Sequence, residues 1–176
     1  MMPLKPSSPY SASKASADLI TLSYVRTYGL NATISRCCNN FGPWQHPEKL
    51  IPTVCSRLKE GKKIPVYGDG QQKRQWIYVD DHNCALLDVI ENGKAGHIYT
   101  ISTQHAGYMT NLELIEKLCK AAGASLEDAI EHVKDRPGHD TTYFLYSYNG
   151  VISREALYAR VCSQLEDTAK WFMENL

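Results

Sequence analysis

A tyrosine and a lysine lie four residues apart near the start of the chain, at Tyr10 and Lys14. On a helix this spacing places both side chains on one face, one turn apart. A free tyrosine is protonated at neutral pH, but a neighbouring ammonium group favours its phenolate form. Such a pair can take a proton from a hydroxyl group while a hydride leaves the same carbon. Because the chain has 11 tyrosines, a chance spacing without chemical meaning stays open.

Two adjacent asparagines, Asn39 and Asn40, open the segment 39–43, which follows a predicted strand. In an open α/β sheet, ligands bind beyond the carboxyl ends of the strands. An asparagine amide can both donate a hydrogen bond to a ligand and accept one from it. The segment is therefore a candidate ligand contact, with an ordinary turn of Asn, Gly and Pro as the alternative.

Arginines stand in two predicted loops. Arg74 follows the turn 68–70, and Arg136 lies with His139 in the segment 135–139. An arginine on a loop suits bidentate contact with phosphate, so converging loops would form a diphosphate clamp. Ordinary solvated charge is the alternative interpretation.

Helices and strands that would position these residues alternate along the sequence. The first helix is predicted from Pro9 to Tyr28, with Gly29 just beyond its end. Strands are predicted over 31–37, 64–67, 75–79, 97–101 and 130–134, and residues 39–47 are predicted to be a loop. Further helices are predicted over 49–59, over 80–91 with Asp80 or Asp81 as cap, from a capping box at Thr110 to Ala122, and from a second capping box at Ser163.

Composition narrows the class of protein. With 43% hydrophobic and 22% charged residues the chain fits a folded globular protein. Nineteen basic residues balance nineteen acidic ones, so charge gives no reason to expect nucleic acid or a membrane surface as partner. No apolar run reaches transmembrane length. The six cysteines form no C-x-x-C pair, which predicts reduced, mostly buried thiols in a cytoplasmic protein and no metal site.

A glycine-rich dinucleotide-binding turn is absent from the sequence. Such a site needs a G-x-G-x-x-G-like turn between a first strand and its helix, where the helix amides meet the pyrophosphate. No such pattern occurs among the 176 residues. The chain is therefore expected to begin after the point where such a unit would end.

Six segments in succession resemble one family. They are 8–14 (SPYSASK), 39–43 (NNFGP), 47–52 (PEKLIP), 65–68 (PVYG), 74–82 (RQWIYVDDH) and 135–140 (DRPGHD). Their order resembles the extended short-chain dehydrogenases/reductases, and among these the dTDP-glucose 4,6-dehydratases. The resemblance covers residues 6 to about 153, nearly the whole chain.

The resemblance implies an α/β fold, the C-terminal part of a Rossmann-like NAD-binding fold plus a small α+β substrate-binding domain. Residues 1–47 would be the remnant of the NAD-binding domain. Residues 48–176 would mainly form the sugar-nucleotide-binding domain, with segments near 75–101 returning to the Rossmann-like part.

The resemblance also implies an NAD-dependent conversion of dTDP-glucose to dTDP-4-keto-6-deoxyglucose. In that family NAD oxidises C4 of the glucose, water is eliminated across C5 and C6, and the hydride returns to C6; the product typically feeds rhamnose and other deoxysugars. By resemblance Tyr10 is the base, and Tyr10, Lys14 and Asn40 contact the cofactor. The residues expected to contact the dTDP-sugar are Asn39, Lys49, Leu50, Pro65, Tyr67, Arg74, Asn111, Asp135, Arg136 and His139.

The chain departs from this family in ways that bear on activity. The family's Asp-Glu pair for the elimination would precede Tyr10, where only Lys5 is charged. Truncation and inactivity of the chain alone are therefore expected. Three alternatives stay open: a separately encoded half that works with a partner chain, a dTDP-sugar-binding remnant without chemistry, and half of a related epimerase. The resemblance further implies a homodimer, with the helix that carries Tyr10 at the interface.

Overall fold

The structure is a computed structural model that describes residues 5–103, 107–135, 141–146 and 154–176, with side chains in the last range from residue 160. Six helices and seven strands lie in these ranges. In chain order they are α1 (Pro9–Tyr28), β1 (Ile34–Cys37), β2 (Asn39–Phe41), α2 (Leu50–Lys59), β3 (Ile64–Tyr67), β4 (Lys73–Tyr78), α3 (Val79–Asn92), β5 (Ile98–Ile101), β6 (Tyr108–Thr110), α4 (Asn111–Ala121), α5 (Leu126–Ala129), β7 (Ile130–Val133) and α6 (Arg154–Asn175).

The described strands form three small sheets. Strands β1 and β5 pair in parallel, with Ile34 opposite Ile98. Strand β4 is central in the second sheet, parallel to β2 and antiparallel to β6. Strands β3 and β7 form a third, parallel pair. The mixture of parallel pairs with helices between them confirms the expected α/β class.

Two hydrophobic clusters hold the fold together. The larger one packs α2, α4 and α6 against β3 and β4, with Ile51, Leu114, Leu118, Leu165 and Phe172 almost fully buried. Each of these helices contributes apolar residues three or four positions apart, which is the spacing of one buried helix face. The smaller cluster consists of four buried residues from β4, α3, β5 and the link between β1 and β2: Cys38, Ile77, Ala85 and Ile101.

Helix α1 begins and ends where the sequence predicts. The side chain of Ser8 caps its first turn by accepting a hydrogen bond from the Ser11 backbone N–H. Gly29 ends the helix in the left-handed conformation (φ 67°), which glycine adopts without steric cost. No residue of this helix is buried. An ion pair joins it to β1, with 2.6 Å between the Arg36 guanidinium and the Asp18 carboxylate.

Three sequence predictions of local structure are wrong. Residues Asn39–Phe41, predicted as loop, form β2 because β4 offers them parallel hydrogen-bonding partners. Asp80 and Asp81 do not cap α3, since the N-cap is Tyr78 and both carboxylates lie in the first turn. Ser163 does not open the last helix but lies inside α6, where its hydroxyl donates to the Arg160 carbonyl.

The six cysteines are all free thiols. Cys38, Cys55 and Cys119 are buried, Cys37 and Cys162 are half-buried, and Cys84 is exposed. Burial raises the pKa of Cys38 and that of Cys55 to about 12, which disfavours their thiolates. In the described ranges, no helix has the length and apolar character needed to cross a membrane.

Candidate functional site

A groove of about 880 Å³ lies between α2 and the edges of β3 and β4. Its lining residues come from four separate stretches of the chain, 39–57, 64–67, 74–76 and Asn111. Its lining residues are Asn39, Asn40, Gln45, Glu48, Lys49, Leu50, Thr53, Val54, Arg57, Ile64, Pro65, Tyr67, Arg74, Trp76 and Asn111.

Helix α2 supplies one wall of the groove. Lys49 is its N-cap residue, and Thr53 and Arg57 follow at intervals of four, so all three share one face. Ile51 and Cys55 point the other way and are buried in the core, which fixes how the helix is rotated. The Lys49 ammonium lies 3.3 Å from the carboxylate of Glu48, the only acidic side chain among the described lining residues.

The facing wall comes from β2 and β4. Asn39 lies opposite Trp76 in the parallel register of these strands. Arg74 is two residues before Trp76, and alternate residues of a strand point to the same face, so both side chains face the groove. The strand pairing therefore brings the Asn39 amide to an indole and a guanidinium that are distant from it in sequence.

The capping box at the start of α4 places Asn111 at the groove. The Thr110 hydroxyl accepts a hydrogen bond from the Glu113 backbone N–H, and the Glu113 carboxylate accepts one from the Thr110 backbone N–H. Asn111 is the first residue of the helix, and its backbone N–H donates to the Gln72 carbonyl at 3.0 Å. Here the box predicted from sequence is confirmed.

Gln72 connects the groove wall to Asp135. Its side-chain amide donates to the Tyr67 carbonyl and to the Asp135 carboxylate, both at 3.0 Å. The turn between β3 and β4 needs glycine at Gly70 (φ 72°), where a Cβ atom would meet Val66 at 2.8 Å. Asp135 thus lies beside the groove, next to Tyr67, without being one of its lining residues.

Three buried polar atoms at the groove have no hydrogen-bond partner among the residues that the structure describes. They are Oδ1 of Asn40, Oε1 of Gln45 and Nε1 of Trp76. The Gln45 amide nitrogen donates to the Asn40 carbonyl at 2.9 Å, which leaves the Gln45 oxygen as an acceptor. Because unpaired buried polar groups are costly, this end of the groove has unused hydrogen-bonding capacity.

Tyr10 and Lys14 lie one turn apart on α1, as their spacing predicts, but both side chains are exposed. Tyr10 has 74% of its surface accessible. Neither residue belongs to the groove lining. The roles of Tyr10 and Lys14 therefore stay a prediction from the sequence.

The structure brings eight of the predicted binding residues into the one groove: Asn39, Asn40, Lys49, Leu50, Pro65, Tyr67, Arg74 and Asn111. Arg136 and His139 lie outside the described residues. Sequence reasoning missed seven lining residues, which are Gln45, Glu48, Thr53, Val54, Arg57, Ile64 and Trp76. The four-residue spacing from Lys49 through Thr53 to Arg57 was an available signal for two of them.

Several known proteins are similar to this chain in sequence. The chain is 41% identical to a dTDP-glucose 4,6-dehydratase of Streptomyces niveus over 98% of its own length and 51% of that protein. It is 53% identical to the low-salt glycan biosynthesis protein Agl12 of Haloferax volcanii over 80% of its own length and 44% of that protein. The chain spans about half the length of the curated relatives it matches.

Solved structures of similar fold carry NAD. A dTDP-glucose 4,6-dehydratase of Streptomyces venezuelae with NAD and TYD bound matches 98% of this chain and 53% of its own, at 42% identity and a TM-score of 0.85. The dTDP-glucose 4,6-dehydratase of Bacillus anthracis in complex with NAD has the same TM-score at 38% identity, over 98% of this chain and 54% of its own. Residues 1–102 match the model of the NAD dependent epimerase/dehydratase family, and the chain belongs to that family.

Proposed function

We propose that this chain supplies the sugar-nucleotide groove and the tyrosine–lysine pair of a dTDP-glucose 4,6-dehydratase. The observation that carries the proposal is the groove itself, which gathers eight predicted binding residues from β2, β3, β4, α2, α4 and the residue that caps α2. Relatives about 40% identical over almost the whole chain are dTDP-glucose 4,6-dehydratases. The substrate would be dTDP-glucose and the product dTDP-4-keto-6-deoxyglucose.

The groove suits an elongated anionic ligand. Among the described lining residues, Lys49, Arg57 and Arg74 give it three cationic side chains against the carboxylate of Glu48. A guanidinium offers several N–H donors that match phosphate oxygens, while Asn39 and Asn111 can donate to hydroxyl groups or accept from them. We assign Arg136 and His139 to the same substrate on the strength of the sequence resemblance alone.

Tyr10 is the proposed base that takes the proton from the C4 hydroxyl of the glucose. Lys14, one turn away on α1, would favour the phenolate and hold a ribose hydroxyl. NAD, when bound, supplies the acceptor and later the donor of the hydride. The unpaired Oδ1 of Asn40 fits a contact with this cofactor, because a buried acceptor at a ligand site calls for a donor.

The proposal also covers assembly and location. Residues 1–47 are assigned to the NAD-binding part and 48–176 mainly to the substrate part, with the segments near 75–101 returning to the first. The larger hydrophobic cluster of α2, α4 and α6 supports a separate substrate part. Exposed apolar residues on α1 support packing against a second copy or a chain that carries the other half of the enzyme. The free cysteines support a reducing compartment such as the cytoplasm.

The experiment that tests the proposal is calorimetric titration of the purified chain with dTDP-glucose and, separately, with NAD, followed by an assay for the 4-keto product. We expect the chain to bind dTDP-glucose. We expect no turnover by these 176 residues alone, because they contain no Asp-Glu pair. Arg74→Met should weaken the binding, and Arg26→Met, an exposed substitution on α1, should leave it unchanged.

Each further outcome separates the candidate functions. Product formation once a chain carrying the glycine-rich turn and the Asp-Glu pair is added would support a split dehydratase. Binding of dTDP-glucose that no such chain converts into turnover would favour a binding remnant. No binding of dTDP-glucose by the folded chain would contradict the proposal.

A further inference from the structure

The groove changes its chemistry along its length. Amides gather near one end, where Asn39, Asn40 and Gln45 lie close to β2 and the loop after it. Lys49 stands at the start of α2, where the free backbone N–H groups of the helix also favour an anion. Arg57 lies eight residues further along α2, which corresponds to about 12 Å of helix.

Apolar side chains line the groove next to Arg57. Val54 and Ile64 are buried there, and Pro65 and Tyr67 continue the same wall along β3. The Asn111 amide lies beside Gln72, next to Tyr67, so the apolar surface is that of Val54, Ile64 and Pro65. A flat heterocycle against aliphatic and aromatic side chains suits such a surface better than a hydrated phosphate does.

Arg57 is held in place by the chain itself. Its Nη1 atom donates to the Lys63 carbonyl at 2.8 Å, immediately before β3. A guanidinium has five N–H donors and no acceptor, so this anchor leaves further donors for a ligand. The anchor reduces the side-chain freedom that would otherwise be lost when Arg57 contacts a ligand.

We infer that Arg57 recognises the nucleobase of the sugar nucleotide by donating a hydrogen bond to a ring carbonyl oxygen. The inference rests on the proposed function and extends it to a residue outside the predicted binding set. The order along α2 matches the ligand: hydroxyl groups of the sugar at the amides, diphosphate near Lys49, and a carbonyl-bearing base at Arg57. Arg57 then contributes to selection of the base, and Arg74 to attraction of the phosphates.

The test compares two ligands that differ only in the base. Thymidine diphosphate and base-free 2-deoxyribose 5-diphosphate are titrated into the wild-type chain and into Arg57→Met. We expect the variant to bind thymidine diphosphate about 10- to 100-fold more weakly, the range for a hydrogen bond to a charged group. Binding of the base-free ligand should change less than twofold.

Two further variants test whether the effect of Arg57→Met is specific to the guanidinium and to the groove. Arg57→Lys keeps the charge but lacks the planar fork, so we expect it to lose most of the same affinity. Arg26→Met, remote from the groove, should behave as wild type for both ligands. Near-ultraviolet circular dichroism of each variant shows whether it keeps the native fold.

Different results would overturn different statements. Equal weakening of both ligands by Arg57→Met, or full affinity in Arg57→Lys, would mean a charge contact with phosphate and would overturn the base contact. Unchanged affinity for thymidine diphosphate in Arg57→Met would overturn any role of Arg57 in binding and leave the proposed function intact. Failure of the wild-type chain to bind thymidine diphosphate would overturn the proposed function and this assignment together.

Discussion

Helices α1 and α4 both contain apolar residues, yet the structure buries those of α4 and leaves those of α1 unburied. Helix α4 buries Leu114, Ile115 and Leu118 against α2 and α6. Helix α1 buries no residue and leaves Leu19 and Ile20 more than half exposed. The groove is therefore built on a packed core, whereas the proposed base Tyr10 stands on a helix that the described residues hardly contact.

This difference indicates that ligand binding in the groove and proton transfer by Tyr10 depend on different parts of the fold. Residues that line the groove are positioned by contacts within the described chain. The positions of Tyr10 and Lys14 relative to a bound sugar depend on what packs against α1. Four comparisons, given in order of expected effect, test this difference between the packed core and α1.

The first comparison is thiol reactivity. Because burial raises the pKa of Cys38 and Cys55 to about 12, roughly one thiol in ten thousand is ionised at pH 8. The exposed Cys84 should be labelled by a maleimide within minutes, and the two buried thiols at least about 1000-fold more slowly. Mass spectrometry of digested protein measures this. Equal labelling of all three thiols in the folded chain would contradict the described core.

The second comparison truncates one leucine in each helix. Leu118→Ala should lower the free energy of unfolding by about 2–5 kcal/mol, because it leaves a cavity in the core. Leu19→Ala, on the exposed face of α1, should change it by less than about 0.5 kcal/mol. Urea unfolding measures both. A loss at Leu19 as large as that at Leu118 would show that α1 is packed in solution.

The third comparison addresses the exposed face of α1. If a second copy covers it, Ile20→Asp should weaken self-association about 10- to 100-fold, because a buried isoleucine contributes about 1.5–3 kcal/mol. Asn31→Asp, at an exposed position beyond the end of α1, adds the same charge and serves as the control. Sedimentation equilibrium measures the association. A wild-type chain that is monomeric at all concentrations would contradict a homodimer of these residues.

The fourth comparison concerns two sequence patterns that look alike. Thr110→Ala should destabilise the chain by about 1 kcal/mol, because the Thr110 side chain caps α4. Ser163→Ala should have an effect within about 0.5 kcal/mol or be slightly stabilising, since Ser163 lies inside α6. Thermal unfolding of both variants against wild type measures the difference. A larger loss at Ser163 would support a helix start there.

Local chemistry made much of the fold predictable. The ends of α1 follow from Ser8, Pro9 and Gly29, whose preferences for helix termini act within one turn. The start of α4 follows from the capping box at Thr110 for the same reason. Strand β2 was not predictable in this way, because Asn39 and Asn40 prefer turns and become extended only through pairing with β4.

The residues of the candidate site can also be divided into those predicted from the sequence and those placed there by tertiary contacts. Eight predicted residues meet in the groove, although they come from segments up to 72 positions apart (Asn39 to Asn111). Arg57 and Trp76 join them only because α2 is rotated by its buried face and β4 is aligned with β2. No spacing within one segment could reveal that Trp76 lines the groove, since its position depends on the register between two strands.

The sequence by itself determined both ends of α1, the start of α4, the α/β order, the Tyr10–Lys14 spacing and the motifs that the chain shares with its family. These are properties of neighbouring residues, and they act over a few positions of the chain. The tertiary structure alone decided which side chains share the groove, which thiols are buried and which face of α1 is left open. Such features depend on contacts between distant segments, whose free energy is gained only when the core packs.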